Sequence, residues 1–333
     1  MSSITTTERP HETVWNITTA GAAARSLHVV ADLGVADHID DAPVTVEELG
    51  PRCGVDAEAL DRVLRLLVAH GIFEHLGEGY QHTLSSRLLR SDNPMSMRAF
   101  ARMFGLPLVW ASLGRLDHSV RTLAPAAELV ESKGFWAYLQ AHPDEARIFD
   151  EAMTAKARAD IAAVLGAYDF RPFHTIADIG GGRGHLLSAV LDAVPTAHGV
   201  LFDLPGVIES LEVPGGRLTH HPGDFFVDPL PRADAYVLME VIHDWADAEA
   251  TTILRAIRRA ASPGAVVLII EGVMPEDDAD ARVHTLDVVM LTITGGRERT
   301  ARRLGALLHS ADFRVSTVIE TGGPLRIVEA VAV

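Results

Sequence analysis

A histidine and two glutamates in the second half of the chain have positions that suit acid–base chemistry. His243 and Glu271 each follow a short apolar run of strand character, and Glu298 lies in the segment Gly-Gly-Arg-Glu-Arg-Thr. Open α/β sheets form their active sites at the carboxyl ends of their strands, so a histidine there is a strong candidate for catalysis. Flanking carboxylates orient the imidazole ring and raise its basicity. We therefore predict that His243 is a general base assisted by Glu271 and Glu298.

A metal site is the alternative use of the same region. Glu240 and His243 form one Glu-x-x-His step, a spacing that binds metals in helical proteins. We find no second such step near the predicted strand ends to complete a dinuclear carboxylate site. We therefore predict that the protein has no metal site.

A glycine-rich segment, from Asp178 to His185, lies between a predicted strand and a predicted helix. Its glycines Gly180, Gly182 and Gly184 have the spacing G-x-G-x-G, whereas the dinucleotide pattern G-x-G-x-x-G would need a glycine in place of His185. Glycines let the backbone turn tightly and approach a ligand, which the N–H groups of the following helix then face. The segment predicts a binding site for a nucleotide-like cofactor.

Two later segments suit other parts of such a cofactor. Asp203 ends the next predicted strand, where a carboxylate either caps a turn or accepts hydrogen bonds from ribose hydroxyls. Its position after a glycine loop favours the ribose. The segment Gly-Asp-Phe-Phe lies further along the chain, and its Asp224, Phe225 and Phe226 suit the amino group and ring face of adenine.

These residues must be positioned by a sheet, which the second half of the chain predicts. Short apolar runs alternate there with helical patterns, which indicates a parallel, doubly wound sheet. The runs are 175–179, 200–203, 235–239 and 266–270, and residues 313–320 and 325–333 are predicted to complete the sheet as an antiparallel hairpin. The region 95–167 is mostly helical in pattern.

The first part of the chain has the pattern of a winged helix. Helices are predicted over 23–39 and 57–70, with a capping box at Thr45 and Glu48, and a β-hairpin over 72–84. Because winged helices often bind DNA, a ligand-responsive regulator is a second hypothesis. Acidic residues outnumber basic ones between 43 and 84, which opposes binding to phosphates. We therefore predict a dimerisation module.

Composition and charge restrict the partners and the compartment. A formal net charge of −16 opposes binding to nucleic acid. No apolar run reaches the ~18 residues of a membrane helix, and the polar start has no signal-peptide pattern. The single cysteine, Cys53, fits a reducing environment. We expect a cytoplasmic protein that binds neither nucleic acid nor membrane.

Together the motifs resemble those of the plant-type small-molecule O-methyltransferases, a family with caffeate and flavonoid enzymes and bacterial relatives in polyketide, anthracycline and phenazine biosynthesis. The shared motifs are Asp-Ile-Gly-Gly-Gly-Arg-Gly, Phe-Asp-Leu-Pro, Gly-Asp-Phe-Phe, Val-Ile-His-Asp-Trp and Gly-Gly-Arg-Glu-Arg-Thr, in the family's order. The resemblance covers essentially the whole chain. It implies S-adenosyl-L-methionine as cofactor, S-adenosyl-L-homocysteine as its product, and methylation of a phenolic hydroxyl on an aromatic secondary metabolite.

The resemblance also implies the fold and the domains. The fold is α/β, a class I S-adenosylmethionine methyltransferase with a Rossmann-like, mostly parallel sheet and an antiparallel last strand, preceded by an α-helical winged-helix dimerisation domain. The implied domains are a dimerisation domain at 1–94, a helical linker contributing to the acceptor pocket at 95–167, and a catalytic, cofactor-binding domain at 168–333.

Site roles follow residue by residue from the family's motifs. The histidine before Asp-Trp is the family's base, which assigns that role to His243, and the flanking acids match Glu271 and Glu298. The cofactor positions are Asp178, Gly180, Gly182, Gly184, Asp203, Leu204, Asp224, Phe225, Phe226, Met239 and Trp245; the substrate positions are Phe149, Met153 and Asp244. Plant members commonly have lysine where this chain has Met239, so one polar contact to the cofactor differs.

Other outcomes within the family remain open. Some members methylate nitrogen, and a few bind the cofactor without consuming it and catalyse decarboxylation, hydroxylation or a pericyclic reaction. The presence of His243, Glu271 and Glu298 favours methyl transfer over these reactions. We also expect a homodimer, because an exposed apolar face is predicted on the N-terminal helices at Val29, Val30, Leu33 and Val35.

Overall fold

The computed structural model describes residues 9–212, 215–276 and 281–333, which fall into two units that divide between Leu106 and Pro107. In the first unit the helices are α1 (Pro10–Leu33), α2 (Val46–Cys53), α3 (Ala57–Ala69), α4 (Leu84–Arg87) and α5 (Arg98–Phe104). Its strands are β1 (Val44–Thr45), β2 (Phe73–Leu76) and β3 (Gly79–His82). The three domain ranges predicted from the sequence stay a prediction.

The winged-helix pattern is present in the first unit. Helix α3 matches the predicted amphipathic helix, and β2 and β3 form the predicted hairpin, with β1 antiparallel to β3 on its other side. The capping box at the start of α2 is also confirmed, since the Thr45 N–H donates to the Glu48 carboxylate at 3.3 Å. Local side-chain preferences therefore determine these boundaries.

The first helix differs from the prediction at both ends. It begins at Pro10, where a proline at the first position suits a helix start, and it ends at Leu33 instead of continuing to Ile39. Gly34 adopts φ +68°, a left-handed conformation that ends the helix, and a short 3₁₀ turn follows.

The prediction of an exposed apolar face on the N-terminal helices is also wrong in position. Val30 and Val35 are fully buried in the core of the first unit, and Val29 and Leu33 are half-buried. The large apolar side chains exposed on α1 lie nearer its start, and they are Val14, Trp15 and Ile17. The apolar face that was predicted to pack against a partner subunit is therefore buried, at Val30 and Val35, inside the unit itself.

Helices and a large sheet make up the second unit. The helices are α6 (Pro107–Leu113), α7 (Leu116–Thr122), α8 (Ala127–Val130), α9 (Gly134–Ala141), α10 (Pro143–Ala167), α11 (His185–Ala193), α12 (Pro205–Glu209), α13 (Asp247–Ala260), α14 (Ala281–Ile293) and α15 (Ala301–Ser310). The strands are β4 (Thr175–Ile179), β5 (His198–Asp203), β6 (Leu218–Pro222), β7 (Ala235–Met239), β8 (Val266–Glu271), β9 (Phe313–Glu320) and β10 (Arg326–Ala332). None of the helices in the described residues is long and apolar enough to cross a membrane.

The strand order is β6-β5-β4-β7-β8-β10-β9, and β4 to β8 pair in parallel. The last strand, β10, is inserted between β8 and β9 and runs antiparallel to both. This confirms the predicted fold class, an α/β sheet that is mostly parallel with an antiparallel last strand.

The sheet separates two apolar cores, because successive side chains of a strand point to opposite faces. Ala177 on β4 packs on one face with Ile253 of α13 and Leu304 of α15. Its neighbour Ile176 packs on the other face with Leu187 of α11. With both faces covered, the functional side chains extend from the strand ends. Since β4 to β8 are parallel, their carboxyl ends lie along one edge.

Candidate active site

The glycine segment forms a tight loop between β4 and α11. Gly180, Gly182 and Gly184 all have positive φ, a conformation that side chains with a Cβ rarely adopt. Gly181, which the sequence analysis did not single out, has a different constraint. A Cβ there would collide with the Asp178 carboxyl and approach Leu201 Cδ1 to 2.6 Å. The loop therefore needs glycine at Gly181 for space and at its neighbours for backbone conformation.

Asp203, at the end of β5, contacts this loop. Its carboxylate accepts hydrogen bonds from the Gly182 N–H and the Leu204 N–H, both at 2.7 Å. Burial raises the pKa of Asp203, and the two N–H donors act in the opposite direction. A Cβ built at Gly182 would meet no atom within 4 Å, so open space adjoins the loop beside this carboxylate. The remaining acceptor capacity of the carboxylate and the adjoining space fit a ribose diol, whose hydroxyls would donate to Asp203.

Asp178 lies beneath the glycine loop. Its side chain is buried, and burial together with the nearby charge of Asp203 raises its pKa to about 7. The Leu187 N–H of α11 donates to it. These contacts tie the loop to the first turn of the helix, and the cofactor contact predicted for Asp178 stays a prediction.

An aromatic cluster continues from the loop. The Phe225 ring would lie 3.7 Å from a Cβ at Gly180, and it meets the Trp245 ring edge to face at a centroid distance of 5.7 Å. Phe226 contacts the same indole at 4.7 Å. The Asp224 carboxylate accepts a hydrogen bond from the Phe226 N–H at 2.9 Å, which fixes this turn. Four predicted cofactor segments therefore come together at one place.

Leu204 and Met239, two further predicted cofactor positions, make contacts within the fold, and their contacts to the cofactor stay a prediction. Leu204 precedes α12 and donates its N–H to Asp203. Met239 ends β7 and packs against the apolar core on the α11 face of the sheet.

One predicted acceptor position, Phe149, is connected to the Trp245 indole through a third ring. Trp136 of α9 stacks on Trp245 with ring centroids 6.4 Å apart, and Phe149 of α10 meets Trp136 edge to face at 5.8 Å. Met153 is half-buried one turn after Phe149, on the same face of α10. This aromatic and thioether surface suits a flat, apolar ring system.

His243 lies in a 3₁₀ turn after β7 and is buried among carboxylates. Its Nδ1 is 2.8 Å from Glu298 Oε1, and its backbone N–H donates to Glu271 Oε1 at 3.0 Å. The Nε2 atom faces Asp244 Oδ1 at 3.8 Å, beyond hydrogen-bond distance. The structure thus brings together the three residues predicted for catalysis, and the Glu298 contact leaves Nε2 as the atom able to accept a proton.

Electrostatics in this turn favour a charged ring. Burial by itself lowers the pKa of His243, but Asp244, Glu298 and Glu271 outweigh it and raise the pKa to about 10. Burial raises the pKa of Glu271 to about 7 and that of Asp244 to about 6. Glu298 Oε2 has no hydrogen-bond partner within the described ranges. The carboxylates are therefore arranged to stabilise an imidazolium.

Two residues that were not predicted from the sequence support the turn that contains His243. Arg299 is buried and donates to the backbone carbonyls of Ile242 at 2.9 Å and Trp245 at 2.6 Å. A Cβ at Gly296 would collide with the His243 carbonyl, so a glycine is needed for this close approach. Both residues belong to the Gly-Gly-Arg-Glu-Arg-Thr segment. Its high content of glycine and arginine was the sequence signal that could have identified them.

The Glu240 carboxylate pairs with Lys156, a residue that no sequence pattern had indicated. Across the residues that the structure describes, no group of three or more His, Cys, Asp or Glu side chains is arranged to hold a metal ion.

Comparison with known proteins relates these features to two domain families. The O-methyltransferase domain matches residues 115–314, and the O-methyltransferase dimerisation domain matches residues 15–92. A phenazine O-methyltransferase of Lysobacter antibioticus is 39% identical to this chain over 315 residues, which are 92% of each protein.

Solved structures are similar over nearly the whole chain. A mitomycin 7-O-methyltransferase superposes with a TM-score of 0.90 at 34% identity, over 97% of this chain and 98% of that one. An O-methyltransferase of neocarzinostatin biosynthesis, solved with S-adenosylmethionine and 2-hydroxy-5-methyl naphthoic acid, has a TM-score of 0.81 at 34% identity, with coverages of 94% and 96%.

Proposed function

Since the chain belongs to the O-methyltransferase family and is an S-adenosylmethionine-dependent methyltransferase, we propose that it methylates a phenolic hydroxyl of an aromatic small molecule, with His243 as the general base. The observation that supports this most is the geometry of His243. Its Nδ1 is engaged by Glu298, and its Nε2, 3.8 Å from Asp244 Oδ1, remains as a proton acceptor.

The acceptor class is inferred from the lining residues and from similar proteins. Trp136, Phe149 and Met153 offer a flat apolar surface, with Asp244 as a polar group near the base. Similar proteins are named for phenazine and mitomycin O-methylation, and one was solved with a hydroxynaphthoic acid. We propose a fused or substituted phenol of bacterial secondary metabolism as the acceptor.

In the proposed mechanism the protein orients the acceptor and removes its proton. Bound S-adenosylmethionine supplies an electrophilic methyl group on a positively charged sulfur. His243 Nε2 accepts the phenolic proton while Nδ1–H stays directed at Glu298, and the nearby carboxylates stabilise the imidazolium. Positioning of the two reactants should provide most of the acceleration. The base should add about 10²–10⁴-fold.

Incubation with methyl-labelled cofactor and a panel of aromatic acceptors tests the proposed function. The panel should contain hydroxylated polyketide, anthracycline, phenazine and benzoate compounds, each with its methyl ether and its amino analogue. We expect label in the hydroxyl compounds and none in the matched ethers. Label in the amino analogues alone would identify an N-methyltransferase. Conversion of an acceptor without consumption of cofactor would identify one of the non-methylating reactions.

We also propose a homodimer formed through the first unit. The dimerisation domain family covers residues 15–92, and helix α1 exposes Val14, Trp15 and Ile17 at 67%, 68% and 77%. Large exposed apolar clusters commonly mark interfaces. Light scattering at micromolar concentration should give twice the monomer mass of 35.9 kDa. Replacing Trp15 and Ile17 with serine should weaken the dimer, whereas a wild-type monomer would contradict the proposal.

A further inference from the structure

A buried ion pair lies beside the proposed catalytic turn. Lys156 on α10 pairs with Glu240, which directly follows β7, and the two side chains are only 14% and 12% exposed. Lys156 is one of two lysines in the chain, the other being the exposed Lys133. Burying two charges costs desolvation that their attraction does not reliably repay, so stability alone explains such a pair poorly. Its location suggests a role in the site.

Glu240 has an unusual backbone conformation. Its φ is +54°, in the left-handed region that residues other than glycine rarely adopt. The Glu240 N–H donates to the Ile270 carbonyl of β8 at 2.9 Å, and His243 follows within the next turn. Backbone strain of this kind persists where surrounding contacts hold it, and it concentrates at functional sites. The ion pair is one of the contacts that hold this residue.

Helix α10 places Lys156 in line with the proposed acceptor surface. Phe149, Met153, Lys156 and Asp160 are spaced by four, three and four residues, so they lie along one face of the helix. Lys156 therefore connects the helix that presents the acceptor-facing side chains to the turn that presents the base.

The charges around this pair are mixed and closely coupled. Lys156 interacts with Glu240, Asp160 and Asp244, and Arg282 of α14 interacts with Glu240 and Asp160. Around the His243 ring the charged groups are the carboxylates of Asp244, Glu298, Glu271 and Glu240. Without Lys156, the charge of the Glu240 carboxylate would be less offset, and it would favour a protonated ring more strongly beside the other three.

We propose that Lys156 is a positioning residue for the base, which rests on the proposed role of His243. Its ammonium group neutralises Glu240 and ties the Glu240–His243 turn to helix α10. The charge of Lys156 therefore offsets that of Glu240, whose carboxylate also interacts with the His243 ring.

Paired charge variants separate this role from a merely structural one. Lys156→Met leaves Glu240 with Arg282 as its remaining cationic neighbour, so the titration midpoint of the His243 ring should rise. Glu240→Gln leaves a cation near the ring, so the midpoint should fall. The two single variants should differ by about one pH unit or more. In the double variant Lys156→Met with Glu240→Gln, the midpoint should lie close to the wild-type value. The charge-retaining Lys156→Arg should also keep the wild-type midpoint.

Histidine-labelled protein and NMR titration give the midpoint, with His243→Asn used to assign the resonance. Lys133→Met is the matched control and should leave the midpoint unchanged, because Lys133 is exposed before α9. The proposal would be overturned if the two single variants shifted the His243 midpoint in the same direction. It would also be overturned if their midpoints differed by less than ~0.3 pH units. The titration needs no acceptor, so its result is independent of the methyl-transfer assay that tests the proposed function.

Discussion

Replacement of His243 with alanine should lower turnover by about 10²–10⁴-fold, while the affinity for S-adenosylhomocysteine stays at the wild-type value. The ring is buried, its Nδ1 is held by Glu298, and its Nε2 is the proposed proton acceptor. Two of the proposed cofactor-binding elements lie outside this turn, since the glycine loop follows β4 and Asp203 ends β5. Single-turnover kinetics and calorimetric titration measure the two quantities.

The control variant is His309→Ala, because His309 is an exposed histidine on α15 and its loss should leave turnover unchanged. A more acidic phenol should partly restore turnover in the His243→Ala variant, because such a phenol ionises without a base. If the variant kept near-normal turnover on a weakly acidic phenol, proximity alone would drive the transfer and His243 would be a structural residue.

The pH dependence of kcat/KM follows from the same site. Only the neutral ring accepts a proton, and the neighbouring carboxylates raise the pKa of His243 to about 10, so kcat/KM should still be rising above pH 7. Glu298→Gln removes one of these carboxylates and should move the midpoint to lower pH, with a smaller loss of turnover than His243→Ala. Glu271→Gln should act in the same direction. The exposed Glu209→Gln on α12 is the matched control.

The same raised pKa affects stability with a definite sign. The folded protein holds the His243 proton more tightly than the unfolded chain, whose histidine has a pKa of 6.5. The resulting stabilisation is fully present below pH 6.5 and is lost as the pH rises through about 10. The variants should therefore be compared at a pH where thermal unfolding shows each of them to be folded.

Replacement of Asp203 with alanine should weaken S-adenosylhomocysteine binding by about 10- to 150-fold, the equivalent of losing a hydrogen bond to a charged group. The Asp203 carboxylate already accepts two backbone N–H groups, from Gly182 and Leu204, and it retains further lone pairs, while a Cβ at Gly182 would meet no atom within 4 Å. Calorimetric titration measures the affinity.

Asp203→Asn tests the contribution of the carboxylate charge, with the unfolding temperature recorded beside the affinity. The amide keeps the shape and one acceptor oxygen but loses the charge and the second acceptor, so one of the Gly182 and Leu204 N–H groups loses its partner. We therefore expect weaker binding and a lower unfolding temperature. Asp192→Ala, at an exposed position on α11, is the control and should bind as wild type. An Asp203→Ala variant that stays folded and binds with unchanged affinity would remove Asp203 from the site.

The sequence by itself determined the parts of this protein that depend on short-range patterns. Apolar runs placed β4 and β7 at their observed bounds, and the order of strands and helices indicated the parallel sheet. Motif order placed His243, Glu271 and Glu298 at strand ends or in nearby loops. These features follow from spacing along the chain, because strand periodicity, glycine turns and parallel strand ends are local properties.

Only the tertiary structure decided which distant residues meet. Lys156 and Glu240 are 84 residues apart, and no local pattern distinguishes that lysine from a solvated one. The predicted partner-facing side chains Val30 and Val35 are buried instead, because periodicity shows that a helix has an apolar face but not what covers it. The pKa of His243 likewise depends on carboxylates from separate segments of the chain, which become neighbours only when the sheet and its loops pack together.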